Sequence, residues 1–191
     1  MPKKVDKDNI KMLILEAFQR CMLMKPLYKV SMRDIAKEAG ISHAKIFYYF
    51  ETKEELVIEY VRYVTSVYAD FYTDIFDKAI NVKGDAEILN NMIHQLYATK
   101  DREIYGKIFM QVYAEAAYSH EIYKIVQDTY RSWMENILDG LEKLYGNGQD
   151  KSAKSLFFFL EGLAMLLTNT ELLEEDAVEI IPTLMKLINE E

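Results

Sequence analysis

Seven residues within twelve positions, Ser42, His43, Ala44, Lys45, Tyr48, Tyr49 and Lys53, gather hydroxyl, imidazole, phenol and ammonium groups around one small methyl. Such a set reads as a binding surface. It offers hydrogen bonds and positive charge to acceptors and anions, which a nucleic acid presents in quantity. Lys45 matches the O6 and N7 acceptors of guanine, and His43 is the second candidate for a base edge. The Ala44 methyl suits either a thymine methyl or simply a close approach. Ser42 stands at a helix start, where backbone N–H groups favour a phosphate. Tyr48 and Tyr49 can donate hydroxyl hydrogen bonds to phosphates, and Lys53 adds a charge at the start of the next helix. The competing use of aromatics is helix packing, which fits Phe47 and Phe50 better than contact with a ligand.

Those side chains need a rigid mount, and the flanking stretch SMRDIAKEAGISHAKIFYYFETKEEL encodes one. Ser31 is a good N-cap, and Asp34 three residues on gives a near capping-box arrangement that also suits the helix dipole. Ile35 and Ala39 share one face, with Ala36 small enough for another helix to come close. Gly40 follows the last periodic residue, where a left-handed backbone is cheapest without a Cβ. Ser42 then caps a second helix whose buried face is Ile41, Ile46 and Phe50. A helix, a glycine turn and a polar-aromatic second helix make a helix-turn-helix, whose second helix fits the DNA major groove.

The run GISHAKIFYYFETKEEL resembles the signature of the TetR family of transcriptional regulators. That signature has an aliphatic residue and a serine, small or variable residues, an aliphatic residue, Tyr-Tyr-His-Phe, and a lysine before an acidic pair. The resemblance covers roughly the first third of the chain. It implies phosphate contacts at Tyr48 and Lys53, and at the place of a tyrosine that stands here as Phe47. It also implies dimerisation through the last two long helices and a small-molecule effector bound in the body. Phe47 lacks the hydroxyl, Tyr49 replaces the usual histidine, and Ala44 stands where glycine is common.

Half of the 191 residues are apolar, with only 7 Gly and 3 Pro, so recurring apolar residues at helical spacing predict an all-α protein. No apolar run reaches the ~18 residues of a membrane span, and the polar start MPKKVDKDNIKM lacks a secretory segment. A lone Cys21 in an apolar helical stretch reads as packing and suits a reducing, cytoplasmic setting. The net charge of −8 is unevenly spread. Residues 1–53 carry 11 Lys/Arg against 6 Asp/Glu, a net +5, whereas residues 54–191 carry 12 against 25, a net −13. A basic head on an acidic body is the balance expected of a phosphate-binding module joined to a non-binding domain. Lys3, Lys4 and Lys7 read equally as an arm near a duplex or as a solvated tail.

Periodicity predicts helices over Asp8–Met24, Lys53–Ala79, Asp85–Thr99, Arg102–Tyr118, His120–Tyr145 and Asp150–Thr168, and a last one including Ile180–Leu187 that Pro182 opens or kinks. The expected architecture is an N-terminal three-helix helix-turn-helix DNA-binding domain, residues 1–52. A six-helix effector-binding and dimerisation domain, residues 53–191, follows it. The segment 155–167 is apolar most of the way round, which predicts a homodimer through residues about 150–190 packed as a four-helix bundle.

The body is rich in tyrosine and methionine, which suits an apolar pocket with a few polar handles. Tyr68, Met92, Leu96, Phe109, Tyr113 and Trp133 are the candidate lining for a small, lipophilic effector. Glu115 reads as a partner for a cationic effector or as a surface carboxylate. Catalysis has little support: His43, His94 and His120 are far apart, there is no metal-ligand spacing, no glycine loop for phosphate and no nucleophile elbow, so no cofactor or metal is expected. The expected function is a regulator, in the repressor sense, that binds a palindromic double-stranded operator. The alternatives are a helical protein-interaction module and an all-α enzyme, neither of which would bind DNA.

Overall fold

A computed structural model describes residues 4–79, 87 and 102–169. Its elements are α1 (Lys4–Met24), a 3-10 turn (Leu27–Lys29), α2 (Met32–Glu38), α3 (His43–Tyr49), α4 (Lys53–Ala79), α5 (Arg102–Ala116), α6 (His120–Tyr145) and α7 (Asp150–Asn169). No strand occurs among the described residues, so the all-α expectation holds. The spans of α4 and α6 coincide with those predicted from periodicity. The helices expected over 85–99, residue 87 apart, and around Ile180–Leu187, with Pro182, lie outside the described residues.

Two bounds differ. α1 begins at Lys4 rather than Asp8, because nothing in Val5-Asp6-Lys7 breaks a helix and the acidic Asp6 and Asp8 suit its N-terminal end. α5 stops at Ala116, two residues short of expectation.

The described residues group into two compact units. The first comprises the chain up to Val64 together with Lys107–Thr129, and the second comprises the remainder. In the first, Ile14, Leu15, Ala17, Phe18, Cys21 and Met22 of α1 are buried, as are Leu27, Ile35, Ala36, Ile46, Phe50, Leu56 and Tyr60. Each large side chain so buried contributes about 1.5–3 kcal/mol before entropy is charged against it. The Phe18 and Tyr60 rings meet edge to face at 5.6 Å, and the Tyr60 hydroxyl donates to Gln19 at 3.1 Å. Cys21 is packing, as expected: its thiol is buried, and burial first, then Glu38, pushes its pKa up.

In the second unit, Tyr130 stands edge-on to both Trp133, at 5.7 Å, and Phe157, at 5.5 Å. Burial, followed by the charge of Glu161, raises the Tyr130 phenol far above its ordinary pKa. Phe76 of α4 lies over Gly140 of α6, a close approach that only a residue without a side chain permits. Among the described residues no helix is long and apolar enough to cross a membrane.

Candidate nucleic-acid interface

The site is built on two seven-residue helices, too short to persist alone. Local capping and tertiary packing supply the difference. At the start of α2 the Ser31 hydroxyl accepts from the Asp34 N–H at 3.2 Å, while the Asp34 carboxylate accepts from the Ser31 N–H at 2.9 Å. This completes the capping box that Ser31 and Asp34 suggested. The Lys25 ammonium reaches the same carboxylate at 2.7 Å. Lys25 first, and Ser31 after it, hold the Asp34 carboxyl well below the usual carboxylate range. A second pair, Arg20 with Glu38 at 2.7 Å, joins α1 to the far end of α2.

α2 ends in a Schellman turn. Gly40 takes φ +66°, its N–H reaches the Lys37 carbonyl at 3.2 Å, and the Ile41 N–H reaches the Ala36 carbonyl at 2.9 Å. Ser42 then caps α3 by accepting from the Lys45 N–H at 3.1 Å. Ile46 at 0% exposure and Phe50 at 1% pin one face of α3 into the core, while Ile41 is only half-buried. Phe50 leaves the helix in extended conformation, and Thr52 caps α4 by accepting from the Glu55 N–H at 3.0 Å.

With that face fixed, the rest of α3 stands in water. Ser42, His43, Ala44, Lys45 and Tyr48 are all exposed, Tyr48 at 71%. Tyr49 is half-buried and meets the Tyr48 ring edge-on at 5.1 Å. Six of the seven predicted residues therefore share one short segment. Lys53 is set apart: it is half-buried, and its ammonium donates to the Leu27 carbonyl at 3.0 Å.

Phe47 corrects the packing expectation. It is 43% exposed and lies edge-on to His43 at 5.1 Å. The reason is helical phase: Ile46 and Phe50 take the inward direction, so Phe47 falls about 100° round, on the face of His43 four residues earlier.

Lys7 is the residue that sequence reasoning left undecided. It belongs to α1, and its ammonium lies 5.4 Å from the centroid of the Tyr48 ring. Lys11, one turn on, lies 5.5 Å from the Phe50 ring. The signal was the Lys7–Lys11 spacing of four, legible once α1 is carried back to Lys4.

The described effector candidates fall in both units. Phe109 and Tyr113 belong to the first unit, half-buried, with ring centroids 5.8 Å apart. Trp133 is in the second, 2% exposed, with its indole N–H donating to the Thr65 carbonyl at 3.5 Å. Met92, Leu96 and the Tyr68 side chain lie outside the described residues. One group went unnoticed in the sequence: the Asn136 side-chain nitrogen is buried without a hydrogen-bond partner. Glu115 is half-buried. Among the described residues, no three His, Cys, Asp or Glu side chains gather as a metal site would require.

A sequence model described as bacterial regulatory proteins of the tetR family matches residues 14–60, a span that begins at buried Ile14 and ends at buried Tyr60. The HTH-type transcriptional regulator PksA of Bacillus subtilis is 27% identical over 169 residues, covering 86% of this chain and 82% of that protein. Residues 14–60 are thus a tetR-family regulatory region. Solved structures agree on the TetR fold. A TetR-family regulator from Mesorhizobium loti superposes with a TM-score of 0.81 at 18% identity, over 95% of this chain and 97% of that one. A transcriptional regulator from Saccharomonospora viridis in complex with choline gives 0.73 at 20% identity, over 94% and 96%. The TetR assignment makes the α2–α3 pair the helix-turn-helix of a DNA-binding domain, and the relatives are regulators rather than enzymes.

Proposed function

We propose that this chain is a homodimeric TetR-family repressor that reads a palindromic operator with the exposed face of α3 and is released by a small-molecule effector. The observation that carries the DNA-contact reading is the two-sidedness of α3, with Ile46 and Phe50 buried and His43, Lys45 and Tyr48 in water. Ser42, Tyr48, Tyr49 and Lys53 are assigned to phosphates, His43, Ala44 and Lys45 to base edges. Residues 1–52 act as the DNA-binding domain and 53–191 as the effector-binding and dimerisation domain, with the dimer formed through residues about 150–190. Reading heads in a dimer must meet successive major grooves ~34–36 Å apart. α4, which starts at Lys53 beside the head, is the lever whose shift spoils that spacing.

For the effector, Tyr68, Met92, Leu96, Phe109, Tyr113 and Trp133 are the proposed contacts, and the unpartnered Asn136 donor adds a handle for an acceptor-bearing molecule. The effector need only favour the non-binding arrangement, a coupling of ~1–3 kcal/mol in typical cases.

Selection from a random duplex pool tests the reading directly. The expected product is an inverted repeat whose half-sites are separated by about one helical turn. A pool from which the chain enriches nothing, or only single half-sites, overturns it. Once an effector is found by thermal shift, its affinity must fall in the presence of operator by the factor with which it weakens operator binding.

A further inference from the structure

α1 ends at Met24, and Pro26 follows with no N–H to give. The last carbonyls of a helix need partners from elsewhere. Lys25 supplies one locally, donating its N–H to the Cys21 carbonyl at 3.1 Å. The Met22 carbonyl instead receives the side-chain N–H of Gln111, 89 residues away, at 3.0 Å. The same nitrogen also donates to the Lys107 carbonyl at 3.1 Å, within α5. The other end of that amide, its oxygen, accepts the Leu27 N–H at 2.5 Å. Leu27 is 2% exposed, so its backbone groups have little access to water. Its carbonyl is held from another direction, by the Lys53 ammonium and the Val30 N–H, each at 3.0 Å.

One side chain of α5 thus closes the end of α1 and fixes the first residue of the turn that leads into α2. The helix-turn-helix hangs from that turn. An amide serves here because it donates and accepts at once, and both Met22 and Leu27 need serving. A second tie runs from the α5–α6 turn to α4, where the Ser119 hydroxyl meets the Glu54 carboxylate.

We infer that Gln111 is a positioning residue for operator reading: it touches no DNA, and it holds α1 and the Leu27 turn in the one geometry that presents α3 correctly. The inference rests on the operator reading above, and goes beyond it in placing the control in α5. Loss of the amide leaves the head folded and positively charged but free to tilt. Binding that depends on placement then suffers, and binding that depends on charge alone does not.

The test uses the full-length chain and two duplexes of equal length, one enriched by the wild type from a random pool and one of random sequence. Gln111→Met keeps the length of the side chain without its polar ends. Its expected signature is faster hydrogen exchange at the Leu27 amide. Affinity for the enriched duplex should fall on the order of tenfold, while affinity for the random duplex and its salt slope are unchanged. Gln111→Glu keeps an acceptor for the Leu27 N–H and loses the donor to Met22, so it should restore Leu27 protection and part of the lost affinity. Unchanged affinity of Gln111→Met for the enriched duplex overturns the inference. So does an equal loss on both duplexes, which marks general damage. Should Gln111→Met fail to fold, Gln111→Glu decides: an affinity loss confined to the enriched duplex supports the role, and equal or absent loss refutes it. A wild-type chain that enriches no sequence sinks the operator reading itself, before any variant is made.

Discussion

The Lys7 ammonium lies over the Tyr48 ring, 5.4 Å from its centroid. This contact brings the first turns of α1 to the exposed side of α3, so the charge of one helix reinforces the donors of another. Tyr48 keeps its hydroxyl side open, at 71% exposure, while its ring faces a cation. Lys7 and Tyr48, 41 residues apart in the chain, are thus neighbours through tertiary structure.

Lys7→Ala should therefore weaken binding to every duplex alike and lower the salt slope by about one. Tyr48→Phe keeps the ring under Lys7 and removes only the hydroxyl, so it should weaken binding while leaving the slope alone. Titration of a fluorescent duplex at several salt concentrations measures both. An unaltered slope for Lys7→Ala would show that Lys7 contributes no phosphate contact.

His43 and Lys45 should behave differently. Each is exposed on α3, and each good base contact discriminates by ~1–3 kcal/mol. Substituting either should change which base is preferred at one position of the selected site. Phe47→Ala should act in the same direction as a His43 substitution, because the two rings pack edge-on at 5.1 Å and Phe47 limits the imidazole's orientations. Selections that return the wild-type sequence for all three variants would unseat this assignment of readers.

How much of this was legible in the sequence depends on the range of each interaction. Ser31, Asp34, Gly40 and Ser42 act within a few residues, and each does in three dimensions what its type and spacing predict. Phe47 was misread because an aromatic at the edge of an apolar run looks the same whether it is the last inward residue or the first outward one. The hold of Lys53 on the Leu27 carbonyl could not be read, because a backbone group has no sequence signature. Gln111 was invisible for the same reason: both its long-range partners, at Met22 and Leu27, are main-chain atoms. Gly140 gave no warning either, since its need for a missing side chain comes from Phe76 on another helix.

Acid should loosen the head in a specific way. The folded state holds the Asp34 carboxyl well below its ordinary range, through Lys25 and Ser31. In the unfolded chain Asp34 takes up a proton near pH ~3.9, while the folded chain resists it until lower pH. The unfolded state therefore binds more protons in that window, and the stability Asp34 contributes is present above it and lost as pH falls through it. Asp34→Asn should lower the thermal midpoint at neutral pH, and the deficit should shrink progressively as pH falls below ~3.9. A deficit that persists undiminished in acid would show that the ion pair with Lys25 is not its source.

Gly140 and Gly162 offer a paired test of packing, because both are helical and differ only in surroundings. A Cβ at Gly140 would enter the Phe76 ring, whereas among the described residues one at Gly162 meets nothing within 4 Å. Gly140→Ala should cost ~1–3 kcal/mol through overpacking. Gly162→Ala should stabilise the chain by up to ~1 kcal/mol, since alanine restricts the unfolded backbone and suits a helix interior. Replacing Phe76 with Leu in the Gly140→Ala background should recover part of the loss, as the smaller side chain makes room, and a double-mutant cycle in denaturant reads the coupling. Additive costs for the two substitutions would mean that Phe76 does not set the requirement for glycine at 140.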